Sequence, residues 1–162
     1  MTLYIGTGSK CTPKEYLDSF YKLGNLMASL GWTLRNGFNY EADRAFYKGC
    51  LLADGSADII SIKDIELSEC AAIEERYPLL KTIETIQRKK RASLYYQLLG
   101  RNLDRKADVL VCWAKPHKKD HEFEILLYLA QVENIPVVNA AKCHSDHDKI
   151  MDRIEAAIGQ KV

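Results

Sequence analysis

Short apolar runs, each ending in a polar or glycine-bearing loop that leads into a helical pattern, recur along this chain. That alternation constrains its fold more than any other feature. Apolar runs fall at residues 3–5, 32–35, 57–62, 108–113 and 135–139. Helical spacing follows the first in Tyr16, Phe20, Leu23, Met27 and Leu30, and the second in Ala42, Ala45, Phe46 and Gly49. Two helical stretches, 68–77 and 79–99, flank Pro78 in the middle, and two more cover 122–133 and 145–158. Within 122–133, Phe123, Leu126, Leu127 and Ala130 form the inward face. The run Val109-Leu110-Val111-Cys112 is continuously apolar, as a strand covered on both faces must be. Strands alternating with helices predict an α/β three-layer sandwich around a five-stranded, mainly parallel sheet. Such sheets bind ligands outside the carboxyl ends of their strands, where strand order reverses. The loops after Ile5, Arg35 and Trp113 therefore border one crevice.

Residues 1–162 are expected to form a single domain, since no repeat, linker or low-complexity segment interrupts them. A core of this size needs no covalent staple. The five cysteines are odd in number and none makes a CxxC pair, which points away from a zinc ribbon or disulfide framework. Cys50 and Cys112 read as small core residues. A reduced, cytoplasmic setting is the expectation, with no signal peptide at the start and no membrane partner. Net charge is +1, so overall charge selects neither nucleic acid nor membrane.

Four loops carry candidate chemistry. Gly6, Thr7, Gly8, Ser9 and Lys10 precede a helix whose start is expected at Thr12 (N-cap), Pro13 and Glu15 (capping box). Glycines, hydroxyls, a lysine and a helix N-terminus together suit a phosphate, although a strand-to-helix turn uses glycine for geometry alone. Arg35, Asn36 and Gly37 follow the second strand, where an arginine can fork onto phosphate or carboxylate. Glu41 and Asp43 open the next helix, as site acids or as dipole partners. Arg101 and Asn102 precede the fourth strand, with a helix break at Gly100 as the alternative. Trp113 and Lys115 lead into a loop holding His117, Lys118, Lys119, Asp120, His121, Glu122 and Glu124. Asp120 is expected to cap the following helix. Neither that loop nor Cys143, His144, Asp146 and His147 matches a metal-ligand spacing, so no metal is expected. Ser145 with Asp148 reads instead as a helix start. Residues 54–75 carry net −6 and residues 81–106 net +6, led by Arg88-Lys89-Lys90-Arg91. The basic segment either forms a nucleic-acid face or pairs with the acidic one.

Taken together, these loops resemble those of the SLOG superfamily of Rossmann-like proteins. That group includes DNA-processing protein A, the LOG phosphoribohydrolases, molybdenum-cofactor carriers and compact single-domain versions common in bacteriophages. The resemblance rests on the first-strand glycine loop, on Leu34-Arg35-Asn36-Gly37-Phe38-Asn39-Tyr40-Glu41-Ala42-Asp43 followed by Ala45-Phe46 and Gly49, and on Arg101-Asn102 before the apolar strand. It covers most of the chain except about residues 54–99. Where many relatives carry a G-G-T loop, this chain has residues 115–122 without glycine. The resemblance implies a Rossmann-like sandwich of the phage type that binds a nucleotide or nucleotide-derived signal and sequesters it in an anti-defence role. Phosphate contacts would come from Gly6–Lys10, Arg35–Gly37, Arg101, Asn102 and Lys115, with Trp113 or Phe38 against a base. The alternatives are a phosphoribohydrolase-type N-glycosidase using Glu122, Glu124, Asp43 or Glu41, and a nucleic-acid binder. A homo-oligomer is expected, and no cofactor is identified beyond the nucleotide-type ligand.

Overall fold

The computed structural model describes residues 1–77, 84–115 and 120–159. Five strands form one all-parallel sheet: β1 (Leu3–Gly6), β2 (Thr33–Asn36), β3 (Ala57–Ile59), β4 (Val109–Cys112) and β5 (Val137–Asn139), in the order β3-β2-β1-β4-β5. Six α-helices accompany them among the described residues: α1 (Lys14–Ser29), α2 (Glu41–Leu52), α3 (Leu67–Arg76), α4 (Thr85–Leu99), α5 (His121–Val132) and α6 (His147–Gly159). The architecture is the expected Rossmann-like three-layer sandwich, with strand order reversing between β1 and β4.

Alternation along the buried strands sends side chains to two cores. Tyr4, Leu34, Val109 and Val111 meet α1, α2 and α6 through Phe20, Leu23, Met27, Phe46, Ile150 and Ile154. Ile5, Leu110 and Cys112 meet α3, α4 and α5 through Ile73, Tyr95, Leu98, Phe123 and Leu126. Cys50 and Cys112 are buried free thiols, as core residues. Helices α1 and α2 cross in backbone contact, because Cβ atoms on Gly24 and Gly49 would run into the carbonyl oxygens of Phe46 and Tyr21.

Several boundaries differ from the sequence reading. The N-cap of α1 is Pro13, without a side-chain cap; Thr12 Oγ1 donates instead to Ser9 O at 2.7 Å, closing the preceding loop. The N-terminus of α6 is served by Asp146, whose Oδ1 accepts from Asp148 N, while the Ser145 carbonyl accepts from Ser19 Oγ. Strand β3 stops at Ile59, and a 3-10 turn at Ile62–Asp64 takes over. Within α5, Leu129 joins Phe123, Leu126 and Ala130 in the core, while Leu127 is half-buried. Pro78, the expected helix start at Leu79, and His117, Lys118 and Lys119 lie outside the described residues. No helix among the described residues is long and apolar enough to cross a membrane.

Candidate functional site

The loop after β1 is fastened before any ligand arrives. Thr7 N donates to Val111 O and Ser9 N to Trp113 O, both at 3.0 Å, so these amides extend the β1–β4 ladder. Thr12 N donates to Ser9 O at 3.1 Å, Cys11 N to Ser9 Oγ at 3.3 Å and Lys10 N to Asp120 Oδ2 at 3.2 Å. The glycines serve packing. A Cβ on Gly6 would strike the Phe46 ring, and one on Gly8 would strike Thr12 Oγ1 and Ala42 Cβ. Asp120 also caps α5 as expected, its Oδ1 accepting from Phe123 N at 3.4 Å.

The second-strand loop packs beside the first. Asn36 Nδ2 donates to Gly6 O and to Asp43 O, each at 3.0 Å, and its Oδ1 accepts from Phe38 N at 3.1 Å. That turn holds Phe38 at φ 57°, a conformation bulky residues rarely adopt. Asp43 is 1% exposed. Its Oδ1 accepts from Thr7 Oγ1 at 2.5 Å and its Oδ2 from Asn39 N at 2.9 Å. Burial raises the Asp43 carboxyl from 3.8 to about 6, outweighing these hydrogen bonds and the charge of Arg44, which pull the other way.

Above Thr7 and Asp43, between the second-strand loop, α4 and α5, lies a pocket of about 300 Å³. Leu94, Phe123, Leu126 and Ile62 supply apolar wall; Asn39, Tyr40, Gln97, Lys90 and Glu122 supply polar groups. Lys90 Nζ lies 3.4 Å from Glu122 Oε1, both partly exposed. The Tyr40 hydroxyl is raised above its ordinary value, first by burial and then by the negative charges of Asp120, Glu122 and Asp43. A second cavity of about 380 Å³ opens on the β4–β5 side, where Ser9, Lys115, Asp120, Glu124 and Lys142 meet. Phe123 borders both chambers.

The structure therefore gathers Thr7, Asp43 and Glu122 around one chamber and Ser9, Lys115 and Glu124 around the other. Other sequence candidates stand elsewhere. Arg35 is 4% exposed and lies on the α4 side of the sheet, where Nε donates to Asp58 Oδ2 at 3.1 Å and Nη1 to the carbonyls of Gln97 and Arg105. Those partners, rather than an incoming anion, receive its donors. Trp113 is 2% exposed, with its ring against Tyr16 and Lys115, so it presents no face to a base. Arg101 lies over Tyr96 and 3.9 Å from Glu69, away from both chambers, and Asn102 is exposed beside it. Glu41 is exposed on the outer α1–α2 groove with Arg44 and Lys48. Phe38 is half-exposed against Tyr47 and Arg44. Gly37 is buried beside Gln97 and Asn39. The acidic and basic segments do meet, through Arg88–Glu74 and Arg101–Glu69.

Leu94 and Gln97 line the pocket without being marked in the sequence reading, while Asn39 and Tyr40 stood there only as part of the second-strand motif and Lys90 only as part of the basic tetrad. Lys90 and Gln97 are seven apart on α4, two turns along one helix face, and that spacing was the available signal. No group of three or more His, Cys, Asp or Glu suited to a metal ion occurs among the described residues.

Two solved structures of the molybdenum cofactor carrier protein from Chlamydomonas reinhardtii resemble this one, each at 17% sequence identity. One aligns with TM-score 0.55 over 97% of this chain and 86% of that one, the other with TM-score 0.51 over 98% and 87%. The likeness is one of fold. No protein-family model matches the sequence, and no curated protein is significantly similar to it. In this chain both chambers open at the carboxyl ends of the strands, beside the β1–β4 reversal.

Proposed function

We propose that this chain binds a small nucleotide-derived molecule in the β1–β4 crevice, gripping it by sugar and base, and holds it rather than turning it over. The observation that carries the proposal is the 300 Å³ chamber itself, which sets the buried Asp43 and the Lys90–Glu122 pair against an apolar wall of Leu94, Phe123 and Leu126. A flat heterocycle packs on such a wall, and sugar hydroxyls donate to carboxylates. A strongly perturbed carboxyl in a cleft is a recognised mark of a working site. The carrier proteins of similar fold fit a holding role by their name. Sequestration of a nucleotide-derived signal, which the resemblance of the loop sequences implies, is the finer form of this proposal.

Native mass spectrometry of freshly purified protein, followed by denaturation and small-molecule analysis, tests it. The expected result is a released nucleoside- or nucleotide-like mass at one per chain; the same spectrum reads the expected homo-oligomer. Failure of every nucleoside and nucleotide to bind below about millimolar, roughly 4 kcal/mol, would refute the proposal.

A second reading is N-glycosidic cleavage, favoured by the presence of Asp43 and Glu122 in one chamber. In that step Glu122 would direct a water to the anomeric carbon, the C–O bond forming as the C–N bond breaks, and Asp43, whose carboxyl burial raises to about 6, would exchange a proton with the departing base. Appearance of free base from a nucleoside 5′-monophosphate, abolished by Glu122→Gln, would establish turnover in place of holding.

A further inference from the structure

The 300 Å³ chamber has a buried acceptor that the fold itself does not engage. Gln97 lines this chamber and is 3% exposed. Its Nε2 donates to Ser93 Oγ at 3.1 Å, one turn back along α4. The Ser93 hydroxyl donates in turn to Ile60 O at 3.4 Å, just beyond β3. A hydroxyl has one proton, and that of Ser93 is given to Ile60, so toward Gln97 it can only accept. This relay fixes the Gln97 amide with its nitrogen on Ser93 and its oxygen turned away. Gly37 backs the same nitrogen, where a Cβ would fall 2.7 Å from Nε2. Gln97 Oε1 accepts no hydrogen bond among the described residues. It is also not one of the fully enclosed unpaired atoms, which are Tyr4 Oη and Trp113 Nε1. The oxygen therefore reaches the chamber that Gln97 lines. The other buried polar side chains of that wall engage each other, Thr7 Oγ1 donating to Asp43 and both Asp43 oxygens accepting.

Resting on the ligand class proposed above, we infer that Gln97 selects an amino-bearing base. Its Oε1 accepts from an exocyclic amine, such as that of adenine or cytosine, while the ring lies along Leu94, Phe123 and Leu126. A carbonyl at the same ring position sets oxygen against oxygen. The amide cannot turn to answer it, because Ser93 offers no proton to a reversed Gln97. A buried site built for one hydrogen-bond partner rejects the analogue that lacks it. Gln97 is thus the specificity residue, and Ser93 is a positioning residue that acts through it.

The test is calorimetric titration of the full chain with adenosine against inosine and cytidine against uridine, each as nucleoside and as 5′-monophosphate. Within each pair an amine is exchanged for a carbonyl and the sugar is unchanged. Wild type is expected to bind the amino member of a pair about tenfold or more tightly than its oxo partner. In Gln97→Met, which keeps length but has no oxygen, that ratio is expected to fall roughly fivefold, through weaker binding of the amino member. In Ser93→Ala the amide is released to turn, and the ratio is expected to fall about threefold, through stronger binding of the oxo member. Circular dichroism checks that each variant folds; should Gln97→Met fail, Ser93→Ala decides. A residue with a structural role only would change stability and leave the ratio alone. Equal or tighter binding of the oxo members by wild type would overturn this inference and leave the ligand class standing. An unchanged ratio in Gln97→Met would overturn the role of Gln97, and one in Ser93→Ala that of the relay. Binding of none of the eight compounds would overturn both the inference and the ligand class.

Discussion

The two faces of the sheet are built by opposite means. On the α1–α2–α6 face the buried side chains are mostly apolar, and two glycines let helix backbones touch. On the α3–α4–α5 face Arg35, Glu74, Ser93 and Gln97 are buried, and ion pairs join α4 to α3 and to α5. At Gly24 and Gly49 the first face has no room for an added Cβ. The second accepts polar groups because each finds a partner, and the ligand-sized chamber lies there, against α4 and α5. Rigidity and site chemistry are divided between the layers of one sheet.

Substitutions on the two faces should differ most in stability. Gly49→Ala forces a Cβ into the Tyr21 carbonyl, which neither backbone can evade, and should destabilise the fold by about 3 kcal/mol or more in urea titration. A loss under 1 kcal/mol would show that α1 and α2 can separate freely. On the other face, Arg35→Met should cost about 1–3 kcal/mol. It removes a buried guanidinium from two carbonyls, while Asp58 remains solvated at 43% side-chain exposure. The same variant should leave ligand affinity within about twofold, roughly 0.4 kcal/mol, because Arg35 faces neither chamber.

Asp43 sits at the junction and sharpens the contrast through pH. Burial raises its carboxyl from 3.8 to about 6, so between those values the folded state holds a proton the unfolded chain has released. The resulting stability, on the order of 3 kcal/mol, is fully present below about pH 4 and is lost as pH rises through about 6. Asp43→Asn should flatten the stability profile across that window. An unchanged profile would mean that Asp43 titrates as an ordinary exposed carboxyl. The smallest effect is expected at Lys90→Met: its pair with Glu122 is about one-third exposed on each side, worth at most about 0.5 kcal/mol of stability. Loss of ligand affinity without loss of stability would mark Lys90 as a site residue rather than a strut.

How far these faces were legible in sequence follows from the range of the contacts. Strand and helix order was readable because periodicity is local, down to the uninterrupted Val109–Cys112 run. The caps were less so: Thr12 and Ser145 have the right chemistry, yet Thr12 Oγ1 closes its own loop and the Ser145 carbonyl is taken up by Ser19, 126 residues away. Asp43 was visible as an acid in a first turn, but its burial depends on Thr7, 36 residues earlier. Arg35 looked like an anion fork because its partners, Asp58 and the carbonyls of Gln97 and Arg105, come together only when β3 and α4 fold over it. Lys90 was hidden in a basic run whose charge drew attention away from its place on α4.

The most direct test of a ligand site at the β1–β4 crevice is amide NMR of isotopically labelled protein titrated with the nucleoside that calorimetry selects. Shifts concentrated at Thr7, Asn39, Lys90, Gln97 and Phe123 are the predicted result. Shifts confined to the α6 groove around Lys149 and Arg153, with the crevice amides unmoved, would contradict it.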